Sequence, residues 1–344
     1  MTQLHHVEPQ RILGQPATAA IILVLTVRQG SEDEVRDVLA DLSGLVRAVR
    51  FRAPESGLIC VTGIGAELWD RVYDVPRPAG LHPFRELQGA VHHAPSTPGD
   101  LVFHIRAERF DLCFELAQHI GQRLSERADV VDETHGFRYF DERDLLGFVD
   151  GTESPVDEAA ASVVYVGDED PAHAGGSYLI VQKYTHDLQT WNSLSVESQE
   201  LVIGRRKLDD IELSDADKPS NSHVALNTIT DADGSQRQIV RENMPFGSVG
   251  DGVAGTYFIG YAATPDVIEE MLENMFIGKP EGNYDRILDF STAITGTLFY
   301  IPTADFLDDP TTLSVLTEPG PVDTPHDGSL NIGSLNRTDD HGGN

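Results

Sequence analysis

Apolar segments with strand and helix periodicity alternate along the first half of the chain. A continuous apolar run over 19–27 predicts a buried strand. The capping box Ser31-Glu32-Asp33-Glu34 predicts a helix start, and apolar positions keep helical spacing from there to about Val49. Further strands are predicted over 57–63, 101–107 and 130–140, and a second helix over 110–124. This order is the ferredoxin-like β-α-β-β-α-β unit.

The second half of the chain shows a similar order with longer insertions. Strands are predicted over 177–184, 238–243 and 256–262, and helices over 187–203, 265–276 and 285–295. Pro265 suits the first position of its helix. We therefore expect an α+β fold with two ferredoxin-like units in one chain, similar to a dimeric α/β-barrel. The expected boundaries are 1–145 for the first unit, 146–310 for the second, and 311–344 for a flexible tail rich in Thr, Pro, Gly and Asp.

The charge balance narrows the classes of partner. The chain has 56 Asp and Glu against 25 Lys and Arg, for a formal net charge of −31, which argues against nucleic-acid binding and against docking on anionic lipid. No segment has the apolar length of a membrane span, and the N-terminus lacks a signal-peptide pattern, so we expect a cytoplasmic protein. Cys60 and Cys113 each lie in an apolar run and are expected to be buried, reduced thiols.

The candidate chemistry lies in three segments of the second half. The stretch Gly-Phe-Val-Asp-Gly-Thr-Glu over 147–153 places Asp150 in a turn, because Gly151 tolerates positive φ. His223 follows in Asn-Ser-His-Val, and Arg241 begins Arg-Glu-Asn-Met-Pro. Each residue alone is more often structural than catalytic. The absence of an HExxH pattern leaves a zinc-hydrolase interpretation without support.

Together with the segment 284–297, these motifs resemble the dye-decolorizing peroxidase family, and its bacterial B-type branch in particular. The resemblance covers roughly residues 15–310. It implies one haem b per chain, in a cavity mainly in the second half, with His223 as the axial ligand of the iron. It further implies a homo-oligomeric enzyme that reduces hydrogen peroxide. Such an enzyme oxidises dyes, phenols or other aromatic donors by one-electron steps through a ferryl-oxo intermediate.

The resemblance also implies roles for the other site residues. Asp150 would move a proton between the two peroxide oxygens, and Arg241 would stabilise the charge that develops on the leaving oxygen. Asn243 lies two residues after Arg241, so in a strand it faces the same side, and we expect it to orient peroxide. Which of Asp150 and Arg241 matters more stays open.

Further residues are expected around the cofactor. Gly151, Thr152, Glu153 and Arg241 are expected to contact the haem edge. Glu153 with Glu212 could offer oxygen ligands to a manganese ion. A carboxylate bonded to His223 would increase the basicity of its ring, and Asp285 and Asp289, four residues apart on the predicted helix, are the candidates.

The tail carries a repeated Gly-Ser-Leu unit within 327–337. This segment resembles the cargo-loading peptide by which peroxidases of the family enter encapsulin shells. Its clustered apolar residues, Leu330, Ile332 and Leu335, would be the anchors of a flexible peptide in a groove of the shell protein. We therefore expect packaging inside an encapsulin nanocompartment; the alternative is a tail without a partner.

Three other functions remain open. The same site could handle haem or porphyrin, by iron release or porphyrin oxidation. The chain could instead store haem as a non-catalytic cargo, with a second axial ligand in the distal position. A ferredoxin-like fold without haem is the third alternative.

Overall fold

The computed structural model describes residues 7–14, 16–151, 154–155 and 157–311. The strands are β1 Ala19–Val27, β2 Ile59–Gly65, β3 Leu87–Gln88, β4 His93–Ala94, β5 Leu101–Ala107, β6 Ala128–Phe137, β7 Ser177–His186, β8 Ile229–Thr230, β9 Gln236–Arg237, β10 Val240–Arg241, β11 Met244–Ser248, β12 Val253–Ala262, β13 Ser291–Ala293 and β14 Thr297–Ile301. The α-helices are α1 Glu32–Ala40, α2 Leu42–Arg50, α3 Ala66–Val72, α4 Phe110–Leu124, α5 Asp157–Val164, α6 Leu188–Asn192, α7 Val196–Ile203, α8 His223–Asn227, α9 Asp266–Phe276 and α10 Ala304–Asp308. Three short 3₁₀ helices cover Pro54–Ser56, Pro171–His173 and Arg286–Asp289.

The large sheet contains the same antiparallel arrangement twice. The first unit has the order β2-β5-β1-β6 and the second has β10-β12-β7-β14. In both units the first strand lies between the third and the fourth, and the second strand pairs with the outer side of the third, which is the ferredoxin-like order. The units join where β14 pairs with β2, with Phe299 opposite Gly65 and Tyr300 opposite Ile64. The predicted α+β fold with two such units is therefore confirmed.

The sheet curls so that its two ends approach each other. Gly136 on β6 lies against Met244 on β11, where an added Cβ would come within 2.6 Å of the Met244 Cβ. Lys183 on β7 forms an ion pair with Asp132 on β6 at 2.8 Å. One face of the curled sheet encloses an apolar core that includes Ile22, Val102, Leu179, Ile259 and Phe299, and the helices pack on the other face. This is the barrel-like arrangement that the repeated unit predicts.

Several predicted elements of the first half are displaced or divided. The helix expected over 31–49 is two helices, α1 and α2, separated at Asp41. The Ser31 side chain makes no capping bond, and the Glu32 carboxylate instead accepts the Gly30 N–H at 2.8 Å. The strand expected over 130–140 is β6, which begins at Ala128 and ends at Phe137. Helix α3 was not predicted.

Two helix predictions in the second half are wrong. The helix expected over 187–203 is two short helices, because Asp187 caps α6 and Ser195 caps a new start at α7. The helix expected over 285–295 is a single 3₁₀ turn followed by two strands, β13 and β14. Its N-terminal Asp285 side chain caps only that turn, and the β-branched residues that follow favour strands. Strand β14 supplies the fourth strand of the second unit.

Two predictions from composition can be compared with the described residues. Within these ranges, no helix has the length and apolar character needed to cross a membrane. Cys60 and Cys113 are both free thiols, and burial raises the pKa of each to about 12. Cys113 is buried, as expected, whereas Cys60 is only partly buried. The raised pKa makes both thiols weak nucleophiles.

Candidate active site

A cavity that opens to solvent lies between the sheet of the second unit and the segments that cross it. All of its lining residues fall between Asp144 and Ser291, so none of the four strands of the first unit contributes to its surface. Much of the wall is apolar, with Phe258 on the sheet side and Met271 and Met275 on α9. The polar residues that reach it include Asp150, His186, His223, Arg241 and Asn243.

His223 is placed by the start of a short helix. The buried Ser222 side chain accepts the Ala225 N–H at 3.4 Å and so caps α8, whose first residue is His223. His223 Nδ1 lies 2.7 Å from Asp285 Oδ2. Asp285 is fully buried and its other oxygen accepts the Ile287 N–H at 2.9 Å. A ring that donates from Nδ1 keeps its lone pair on Nε2, so His223 can offer Nε2 as a ligand within the cavity.

The two candidate carboxylates are separated by this geometry. Asp285 contacts His223 and also accepts a bond from Asn227 Nδ2 at 3.3 Å. Asp289 instead lies 3.3 Å from His92 Nε2 and accepts the Tyr284 hydroxyl at 3.1 Å. The sequence pattern predicted a helix with both aspartates on one face, so it did not show which of them bonds His223. In the structure, Asp285 precedes the 3₁₀ turn and Asp289 ends it.

Asp150 is held by an amide. Asn243 Nδ2 donates to Asp150 Oδ2 at 3.0 Å and lies 3.3 Å from Oδ1. The Asn243 Oδ1 accepts the Ile259 N–H at 3.0 Å, which fixes the direction of the side-chain amide. Within the described residues, the bond to the Asp150 carboxylate therefore comes from Asn243 and not from Arg241. Gly151 has φ +85°, as the predicted turn requires.

The extended segment 240–244, called the wall strand below, separates the cavity from the apolar core that the sheet encloses. Arg241 and Asn243 line the cavity, whereas Val240 and Met244 pack in the apolar core enclosed by the sheet. This is the alternation of a strand, so the predicted shared side of Arg241 and Asn243 is found. The predicted strand 238–243 divides into β10 and β11 because the Asn243 side chain, not the Glu242 carbonyl, receives the Ile259 N–H.

His186 is a second histidine in the cavity, and the sequence did not indicate it. Its Nε2 lies 3.0 Å from Thr256 Oγ1 and its Nδ1 lies 2.8 Å from Ser291 Oγ. Burial lowers the pKa of His186 to about 4, so the ring is neutral at physiological pH. Because both ring nitrogens are engaged, His223 is the better candidate ligand. Tyr184 and His186 are two residues apart on one strand and so share a face. This spacing was the sequence signal that could have indicated His186 as a cavity residue.

Asp144 is a second carboxyl group of the cavity that sequence reasoning missed. It accepts the Phe148 N–H at 3.0 Å in the turn that leads to Asp150. Burial raises the pKa of Asp144 to about 7, and the nearby Asp150 charge acts in the same direction. Asp144 therefore retains its proton at pH values where an ordinary aspartate is ionised.

Some predicted residues cannot be placed. Thr152 and Glu153 lie outside the described residues, as do Leu330, Ile332 and Leu335. Glu212 forms an ion pair with Lys218 and lies 3.7 Å from Arg205. In the part of the chain that the structure describes, no group of three or more His, Cys, Asp or Glu side chains could hold a metal ion. The manganese pair Glu153 and Glu212 stays a prediction.

The donor set of the cavity fits a haem. His223 offers one imidazole nitrogen whose partner nitrogen is bonded to a buried carboxylate, which is the usual arrangement of a metal-binding histidine. The apolar walls suit a flat macrocycle, and Arg241 lies within reach of the cavity. Within this cavity, the remaining histidine, His186, is already bonded through both nitrogens.

Known proteins resemble this chain over nearly all of its length. Two family models match it, described as Dyp-type peroxidase, N-terminal, over residues 9–138 and Dyp-type peroxidase, C-terminal, over residues 141–306. A dye-decolorizing peroxidase of Rhodococcus erythropolis is 60% identical over 332 residues, which cover 96% of this chain and 97% of the relative.

Solved structures show the same similarity. A cryo-EM structure of the encapsulated DyP-type peroxidase from Mycobacterium smegmatis has a TM-score of 0.87 and 60% identity, and covers 89% of this chain and 99% of that one. A DypB variant from Rhodococcus jostii RHA1 in complex with haem has a TM-score of 0.86 and 57% identity, and covers 88% of this chain and 98% of that one.

Proposed function

Because the chain belongs to the Dyp-type peroxidase family and is a haem peroxidase, we propose that its second-unit cavity binds one haem b through His223 Nε2. When bound, the haem supplies the redox chemistry with peroxide and with electron donors. The observation that carries the proposal is the contact of 2.7 Å between His223 Nδ1 and the fully buried Asp285. It holds the imidazole in one tautomer and increases its basicity as a ligand.

Asp150 is the proton carrier in this proposal. The bond that Asn243 Nδ2 donates to the carboxylate at 3.0 Å holds this side chain at the cavity wall. An ionised Asp150 oxygen can accept a proton from one peroxide oxygen and return it to the other. Asn243 would hold the carboxylate in position for this transfer.

Arg241 stabilises negative charge in the same compartment. It shares the cavity wall with Asp150 and Asn243, and its backbone N–H donates to Ser154 Oγ at 3.3 Å. A guanidinium stays charged over the working pH range, so it can stabilise the charge on the leaving oxygen of peroxide. The donors would be dyes, phenols or other aromatic molecules, oxidised by one-electron steps.

A stopped-flow absorbance experiment tests this function. Haem-reconstituted protein is mixed with hydrogen peroxide, alongside His223→Ala and the matched cavity variant His186→Ala. We expect a rapid Soret change in wild type and in His186→Ala. In His223→Ala we expect haem that is weakly bound or that does not react with peroxide. A low-spin haem that reacts slowly in wild type would indicate storage instead. Iron or modified porphyrin formed without peroxide turnover would indicate haem handling.

We also propose that the tail directs the enzyme into an encapsulin shell in the cytoplasm. The support is the apolar set Leu330, Ile332 and Leu335 in a Gly-Ser-rich segment, together with the encapsulated Mycobacterium smegmatis relative. Deletion of residues 327–344 should leave turnover intact and abolish co-purification with a co-expressed encapsulin shell. A triple Leu330→Ser, Ile332→Ser, Leu335→Ser variant should do the same, whereas unchanged packaging of both would refute the proposal.

A further inference from the structure

The first unit reaches the active site from behind the wall strand. Arg106 on β5 is almost fully buried, and its Nη1 lies 2.5 Å from Glu242 Oε2, an ion pair without hydrogen-bond geometry. Its Nη2 donates to the Ile12 carbonyl and, at 3.3 Å, to the Arg11 carbonyl. Glu242 lies between Arg241 and Asn243, and its side chain points to the opposite side of the strand, into the space enclosed by the sheet.

The backbone around Glu242 is less firmly paired than an ordinary ladder. Its N–H donates to the Ile259 carbonyl at 3.0 Å, but the Ile259 N–H donates to the Asn243 side chain and not to the Glu242 carbonyl. One of the two ladder bonds expected for a directly opposed antiparallel pair is therefore lost. The ion pair with Arg106 holds the strand at the residue where this bond is missing.

We propose that the Arg106–Glu242 pair is a positioning device for the distal side of the active site, through which the first unit holds Arg241 and Asn243 in place. Neither Arg106 nor Glu242 lines the main cavity, so they act through their neighbours. The proposal deepens the proposed peroxidase function, since its catalytic consequence depends on Asp150 and Arg241 acting on peroxide.

The first readout is independent of haem. In haem-free protein labelled with ¹⁵N-asparagine, the side-chain amide of Asn243 is assigned by its loss in Asn243→Ala. We expect Glu242→Leu and Arg106→Met to shift this resonance strongly and Glu242→Gln, which keeps an acceptor for Arg106, to shift it least. The double variant Arg106→Met, Glu242→Leu leaves no unpaired charge, so its Tm should recover while the shifted resonance persists.

The second readout is the peroxide step of the holoenzyme. Displacement of catalytic groups by a fraction of an ångström to 1 Å should slow the peroxide-dependent Soret change by about ten- to a hundred-fold in Glu242→Leu. The rate of donor oxidation at saturating peroxide should change less than the rate constant of the reaction with peroxide. If Arg106→Met does not fold, Glu242→Leu and Glu242→Gln suffice, because Glu242 is partly exposed.

Asp132→Asn is the matched control. It breaks the other ion pair described above between the two units, Asp132 with Lys183 at 2.8 Å, which lies outside the wall strand. It should lower Tm without moving the Asn243 resonance or the peroxide rate. If the Glu242 variants behave in the same way as Asp132→Asn, the pair only joins the two units and the proposal is refuted. Wild-type haem protein that ignores peroxide would refute the proposed function, while the haem-free resonance would still test the positioning.

Discussion

The two units share one strand order but differ in the segment that follows their first strand. In the first unit, α1 and α2 pack directly on the sheet through buried residues such as Val35, Leu39 and Val49. In the second unit, residues 187–239 stand away from the sheet, and the cavity lies beneath them. The repeated fold therefore supplies the sheet on which the site is built. The longer insertion of the second unit supplies both the cavity and His223.

The buried polar residues of the two units differ in the same way. In the first unit, His104 and Arg106 point into the enclosed core, where they contact Tyr261 and Glu242 of the second unit. In the second unit, Asp285 is buried in order to bond His223 at the cavity. Unpaired buried polar atoms destabilise a fold. Within the described residues, His104 Nε2 and Arg106 Nε are buried without a hydrogen-bond partner, whereas both carboxylate oxygens of Asp285 accept hydrogen bonds beside the cavity.

The largest effect that would sharpen this comparison is expected at Asp150. Asp150→Ala should retain haem and slow the peroxide-dependent Soret change by about 10²- to 10⁴-fold, because it removes the proton carrier. The matched variant in the first unit is Asp100→Asn, whose carboxylate accepts the Val27 N–H at 2.6 Å. Asp100→Asn should lower Tm and leave the peroxide rate at the wild-type value. Equal peroxide rates in Asp150→Ala and wild type would show that the distal assignment is wrong.

An intermediate effect is expected at the carboxylate behind His223. Asp285→Asn should weaken haem binding by about 10- to 100-fold, since it removes the acceptor that orients the ring. Titration of the haem-free protein with haem, followed by Soret absorbance, measures this change. Asp289→Asn, which affects a side chain bonded to His92 and Tyr284, should bind haem as wild type does. Equal losses in both variants would contradict a specific pairing of Asp285 with His223.

The smallest effect concerns the stability of the haem-free protein. Burial raises the pKa of Asp144 from 3.8 to about 7 in the folded chain. As the pH rises from about 4 towards 7, the unfolded state releases this proton while the folded state keeps it, so Asp144 progressively loses its stabilising contribution.

Asp144→Asn removes this titration and keeps a neutral polar group. Its Tm should exceed that of wild type by about 2–4 °C at pH 8, and the difference should shrink towards pH 4. Thermal unfolding followed by circular dichroism at several pH values measures it. A difference that is independent of pH would mean that the Asp144 carboxyl ionises normally.

Local pattern was sufficient for much of the fold, whereas the candidate site residues came from the resemblance of their motifs to a family. The apolar run at 19–27 and the helical spacing at 110–124 were found at β1 and α4, because both elements bury one consistent set of side chains. The spacing of Arg241 and Asn243 placed them on one face, which needs only the alternation of a strand. The predictions of elements were wrong where a cap or a long-range strand pairing prevailed over local propensity, as at 285–295.

The amino-acid order thus already contained the strand order, the candidate ligand His223 and the candidate proton carrier Asp150. Only tertiary structure decided which carboxylate bonds His223, that Asn243 contacts Asp150, and that Arg106 of the first unit lies behind the wall strand. It also brought Asp144 and His186 into the cavity. The physical reason is that these contacts join residues far apart in the chain, so they depend on how the two units pack and not on the spacing of neighbouring residues.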